Sequence, residues 1–109
     1  MSQFTSYGYG KMREYVRSTF TYVGVGNGAG EVLRFNNATI TLNGDTVSYT
    51  FQVTNADNTL INKTINNAKI YESSSAANAV AEVNFTDFTF ESTDDVLTLT
   101  INIQLPSIV

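Results

Sequence analysis

Apolar and polar residues alternate along most of this chain, and the clearest case is Ala38–Val53. Ala38, Ile40 and Leu42 alternate with Thr39 and Thr41. After Asn43-Gly44-Asp45 the beat resumes, with Val47, Tyr49, Phe51 and Val53 set against Thr46, Ser48, Thr50 and Gln52. Period-two patterning on both sides of an Asn-Gly turn predicts a β-hairpin. Successive side chains of a strand point to opposite faces, so the hairpin has one apolar and one Thr-rich face. The apolar face needs a second layer to cover it.

The flanking segments follow the same beat. Thr19–Gly26 is apolar on both faces, which predicts a central strand. Asn27-Gly28-Ala29-Gly30 breaks it, and Glu31–Phe35 reads as strand or loop. Leu60–Tyr71 predicts two short strand pieces around Asn66-Asn67. In Ala79–Phe90 the inward parity set by Ala79, Ala81, Val83 and Phe85 switches at Phe88 and Phe90. A bulge near Thr86-Asp87 would restore the inward direction. The last strand places Leu97, Leu99, Ile101, Ile103 and Leu105 inward and Thr98, Thr100, Asn102 and Gln104 outward, and Pro106 ends it. Together these predict an all-β protein: an antiparallel β-sandwich of about six to seven strands. Thr19–Val25, Ala79–Phe90 and Val96–Leu105 are expected to form the layer that covers the hairpin.

The N-terminus departs from this pattern. Met12, Tyr15 and Val16 fall at i, i+3 and i+4 within Lys11–Ser18, a short-helix signal. Met1–Gly10 has neither period, yet holds Phe4, Tyr7 and Tyr9 with Gly8 and Gly10 between. Residues 1–18 are therefore expected to be an extended or short-helical arm, and residues 19–109 the β-domain. Aromatic side chains are enriched where one protein anchors on another, which makes the arm a candidate docking element.

Composition narrows the chemistry. The chain of 109 residues has no cysteine, histidine or tryptophan. Disulfides are excluded, together with the commonest general acid/base and the commonest transition-metal ligand. Asp94-Asp95 with Glu91 reads as a solvated turn, since the calcium-loop spacing is missing. The alternate glycines Gly24, Gly26, Gly28 and Gly30 lack the helix that a nucleotide loop needs after it. No catalytic, cofactor-binding or metal-binding residue is expected, and no cofactor. The net charge of −4 disfavours nucleic acid and anionic membranes as partners, and no basic-then-apolar signal segment opens the chain. Charge is also segregated. Lys11, Arg13, Arg17 and Arg34 outweigh Glu14 and Glu31 up to Phe35, whereas acidic residues dominate beyond it. A basic N-terminal end could meet the acidic face of a neighbour, and a weakly polar Thr face can lie against another subunit without burying charge.

The segments Thr19–Gly28, Ala38–Val53, Thr64–Tyr71, Ala79–Phe85 and Asp95–Ile103, in this order and spacing, resemble small β-sandwich structural proteins of tailed bacteriophages. Asn67 and Lys69 stand where that pattern has Glu and Gly, and the loop after Gly28 is shorter. The resemblance implies a non-enzymatic virion protein, a capsid decoration or cement subunit whose partners are other virion proteins and copies of itself. A tail, collar or fibre-attachment protein is the alternative within that class, and a carbohydrate- or receptor-binding β-sandwich the alternative outside it. The candidate interface residues are Phe4, Tyr7 and Tyr9 as anchors, Arg13 and Arg17 as charge partners, and Thr46, Ser48 and Thr50 as a packing face.

Overall fold

The computed structural model describes residues 3–55 and 59–105. Among these it contains one helix, α1 (Ser6–Thr19), and seven strands: β1 (Tyr22–Asn27), β2 (Gly30–Phe35), β3 (Thr39–Asn43), β4 (Thr46–Thr54), β5 (Thr64–Tyr71), β6 (Ala81–Thr89) and β7 (Val96–Gln104). They form two antiparallel sheets, one in the order β2-β1-β5-β6 and the other in the order β3-β4-β7.

The β3–β4 hairpin forms as its alternation predicts. Asn43 pairs with Thr46, which leaves Gly44-Asp45 as a two-residue loop. Gly44 has φ +63°, and a positive φ at the first loop position is the arrangement glycine allows at no steric cost. Val47, Tyr49, Phe51 and Val53 are all buried. They join Val23 and Val25 of β1, Ile65, Ala68 and Ile70 of β5, Ile101 of β7, and Leu60 and Phe90 in one apolar cluster. Phe35 of β2 and Phe51 of β4 meet across it with ring centroids 5.3 Å apart.

Three expectations need correction. Val96–Leu105 does not belong to the covering layer: β7 pairs with β4 through nine consecutive positions, from Thr46↔Gln104 to Thr54↔Val96, in the hairpin's own sheet. An inward apolar row fits either sheet equally well, so alternation alone cannot choose. Leu60–Tyr71 contains a single strand rather than two pieces, because Asn66 and Asn67 both remain in β5 and only the pairing register shifts there. That shift lies between Ile65↔Phe88 and Asn67↔Asn84, so the extra residues on β6 bracket Thr86-Asp87, where the parity switch predicts a bulge. Finally, the helix is longer than expected. It starts at Ser6, includes Gly8 and Gly10, and runs through Thr19. Residues 56–58 and the Pro106 strand stop lie outside the described residues.

Thr5 explains the early start. Its backbone is extended, and its hydroxyl accepts from the Gly8 amide at 3.1 Å, a helix N-cap that satisfies one of the unpaired first-turn donors. At the other end the Phe20 amide donates to the Val16 carbonyl (2.9 Å). α1 packs against β3 and β4, and Val16 and Phe20 reach the core. A two-glycine helix is marginal alone; this one is held by its tertiary contacts.

Candidate functional site

The helix carries two faces of different character. Val16 and Phe20 pack inward, whereas Tyr7 is 74% exposed and Tyr15 60% exposed. Tyr7, Lys11 and Tyr15 are spaced i, i+4 and i+8 and so share one side of the helix. The Lys11 ammonium lies 5.2 Å from the Tyr7 ring centroid. Phe4, just before the cap, is 60% exposed and contacts the Tyr9 ring edge-on at 5.7 Å. Tyr15 meets Phe20 in the same way, also at 5.7 Å. The outward row is therefore a set of large rings, each held by a neighbour on one side and open on the other. Of the Met12, Tyr15 and Val16 spacing that signals the helix, Val16 is partly buried against the core and Tyr15 is turned out. The i, i+4, i+8 spacing from Tyr7 was the available signal.

Phe4, Tyr9 and Arg13 come together with Asp45 of the hairpin loop around an open groove of about 510 Å³. Arg13 crosses from the helix to donate to the Leu105 carbonyl. The Leu105 amide donates to the Asp45 carbonyl at 2.8 Å, so helix, hairpin tip and the end of β7 are tied at one place. The Asp45 carboxylate accepts from Gln104 Nε2 (2.9 Å) and the Thr46 hydroxyl (3.2 Å), and these bonds, the Gln104 one foremost, hold its pKa below the usual aspartate value. Arg17 lies outside this groove and pairs with Glu14. Its guanidinium donates to the Glu14 carboxylate and lowers that group's pKa. Both candidate arginines are thus engaged within the chain.

Thr46, Ser48 and Thr50 line the outer face of the three-stranded sheet. Ser48 donates to Asn102 Oδ1 at 2.7 Å, and the Thr50 and Thr100 hydroxyls lie 3.3 Å apart. Cross-strand pairs of this type stabilise the β4–β7 ladder. They leave an uncharged hydroxyl surface with a shallow recess of about 450 Å³ near Asn37, Thr39, Gln52 and Thr98. The groove and the hydroxyl face adjoin at Asp45 and Thr46, and Ser48 and Thr50 follow along β4.

A third cluster was not anticipated from sequence. Arg34, on the outer face of the four-stranded sheet, stacks on the Tyr71 ring at 3.5 Å and pairs with Glu31 at 3.1 Å. Its Nη1 donates to the carbonyls of Ser73 (3.2 Å), Ser74 (3.3 Å) and Ala76 (2.9 Å). The planar fork thereby fastens the β5–β6 connection to β2. Arg34 spends all of this on the chain's own loop, which makes it an organiser of the fold.

Among the described residues no group of three acidic, cysteine or histidine side chains comes together. Comparison with protein-family models, with curated proteins and with solved structures returns no match.

Proposed function

We propose that this chain is a non-enzymatic structural subunit of a tailed-bacteriophage virion. In this reading it is a β-sandwich, its two sheets facing each other across the shared core, that decorates the capsid by surface binding. The resemblance of the Thr-rich hairpin and its flanking strands motivates the class. The observation that carries the binding role is the outward row of Tyr7 and Tyr15 beside Lys11, with Phe4 exposed at the start of the helix. Large rings with one apolar side and one polar tip bury much area at small entropic cost, and they dominate protein-binding surfaces. The uncharged outer face of the β3-β4-β7 sheet supports the same reading, because it can pack on a neighbour without desolvating charge. The partners are other virion proteins and copies of this chain.

Substituting Tyr7→Ala and Tyr15→Ala together tests it. Both side chains are exposed, so the fold should persist. Expected is a loss of the subunit from purified particles; unchanged occupancy overturns the reading. Copy number in the particle then separates the two locations, with hundreds of copies indicating capsid and a few tens or fewer indicating tail, collar or fibre.

A further inference from the structure

Among the described residues the two sheets have four edge strands: β2, β6, β3 and β7. An open edge offers unpaired amides and carbonyls to any other strand, and monomeric proteins blunt such edges with charge, proline, bulges or shortness. Three of the four are blunted here. β2 carries Glu31 and Arg34 and a register shift at Val25/Gly26. β6 carries Glu82 and Asp87 and the shift opposite Asn66. β3 is five residues long. β7 has none of these guards. It runs nine residues, V-L-T-L-T-I-N-I-Q, with no charged residue, no proline and an unbroken register against β4. Its inward residues Leu97, Leu99 and Ile103 are only partly buried, so part of its apolar row remains exposed.

We propose that β7 pairs antiparallel with β7 of a second copy of this chain, about a two-fold axis at Thr100, which doubles the three-stranded sheet. Three features select a second copy as the occupant. First, the strand is complementary to its own reverse. About Thr100, Leu97 faces Ile103 and Leu99 faces Ile101 on the inner side, while Thr98 faces Asn102 and Thr100 faces its twin on the outer side. Antiparallel pairing preserves face, so the apolar row of one copy continues that of the other. Second, the outer pairs are hydroxyl and amide pairs of the kind β7 already makes with β4 at Thr50–Thr100 and Ser48–Asn102. Third, the ends carry unlike charge. Glu91, Asp94 and Asp95 precede β7, whereas Lys11 and Arg13 flank Leu105 at its far end, with Asp45. The antiparallel register sets Asp95 beside the other copy's Leu105, so acidic turn meets basic helix at both ends. Parallel pairing would set acid against acid. The pairing stands on the edge itself and needs no virion context.

Sedimentation velocity of the full chain over a wide concentration range tests it, with Thr100→Lys, Thr100→Asp and, on the guarded edge, Thr41→Lys. The unmodified chain and T41K should reach twice the 11.9 kDa of one chain. T100K and T100D each set like charges across the axis and should weaken association by about tenfold or more. An equimolar mixture of the two should restore the doubled mass. A single-chain mass for the unmodified protein at every concentration overturns the proposal, as does undiminished association of both variants or a mixture that stays monomeric. Should either variant lose its circular-dichroism spectrum, amide exchange of the unmodified chain decides. Protection of β7 amides that rises with concentration supports the pairing, and protection independent of concentration overturns it.

Discussion

The Tyr49 hydroxyl, at the middle of β4, donates to the Phe20 carbonyl at 2.6 Å. Tyr49 is wholly buried, and Phe20 is the C-cap of α1. One side chain thus fills the core with its ring and satisfies a helix-end carbonyl with its tip. Tyr49→Phe keeps the ring and leaves that carbonyl unpaired. It should cost about 1–2 kcal/mol of unfolding free energy in urea titration, with the loss shared by α1 as faster amide exchange in its last turn.

The same burial sets an alkaline limit. Desolvation pushes the Tyr49 hydroxyl up to about 12 from its ordinary 10.0. The folded state therefore holds this proton more tightly than the unfolded chain. Its contribution is complete below the unfolded value and is lost as pH rises from there toward the folded one. The thermal midpoint should fall over that window, and Tyr49→Phe should flatten the fall.

An acid limit has a different origin. Asp95 accepts from the Glu91 and Ser92 amides, at 2.7 and 3.0 Å, and these bonds lower its pKa from 3.8. Asp45 is lowered in the same direction by Gln104 and Thr46. Depressed carboxylates stabilise the fold above their unfolded value and cease to as pH falls through the folded one. Asp95→Asn should make the thermal midpoint less steep in pH below the ordinary aspartate range.

Asn55 is wholly buried; its amide donates to the Ser92 carbonyl at 3.0 Å, and its Oδ1 accepts from the Leu60 amide at 2.8 Å. Asn55→Ala strands both backbone groups and should destabilise by about 2–3 kcal/mol in chemical denaturation.

Arg34→Lys retains the charge but not the planar fork that reaches Ser73, Ser74 and Ala76 while stacking on Tyr71. Amide exchange and limited proteolysis at 73–76 should both accelerate, with the exchange of β4 unchanged.

Local chemistry decided which parts of this fold were legible in the sequence. The β3–β4 hairpin was, because strict alternation and a glycine at the positive-φ loop position are both local facts. The β6 bulge was too, because a change of parity records it. The second partner of β4 was not: β6 and β7 carry similar apolar rows, and only the three-dimensional ladder assigns β7 to it. The helix start was hidden because Gly8 and Gly10 argue against a helix, and the Thr5 cap is one threonine among many. At the candidate site, the aromatic density of the N-terminal segment was legible, but the outward turn of Tyr15 and the internal engagement of Arg13 depend on how α1 packs.

The strand order also has a consequence for synthesis. β4 lies between β3, its immediate predecessor, and β7, the most distant strand that follows it in the described chain. A nascent chain that has released the hairpin but not yet β7 presents the β4 edge and its Val47-Tyr49-Phe51-Val53 row half covered. Pairings of such wide sequence separation close slowly, so this interval is the one in which the polypeptide is most open to capture by chaperones or by other emerging copies. Ribosome-stalled lengths that end before Val96 should bind holdase chaperones, and lengths that free Gln104 from the exit tunnel should release them.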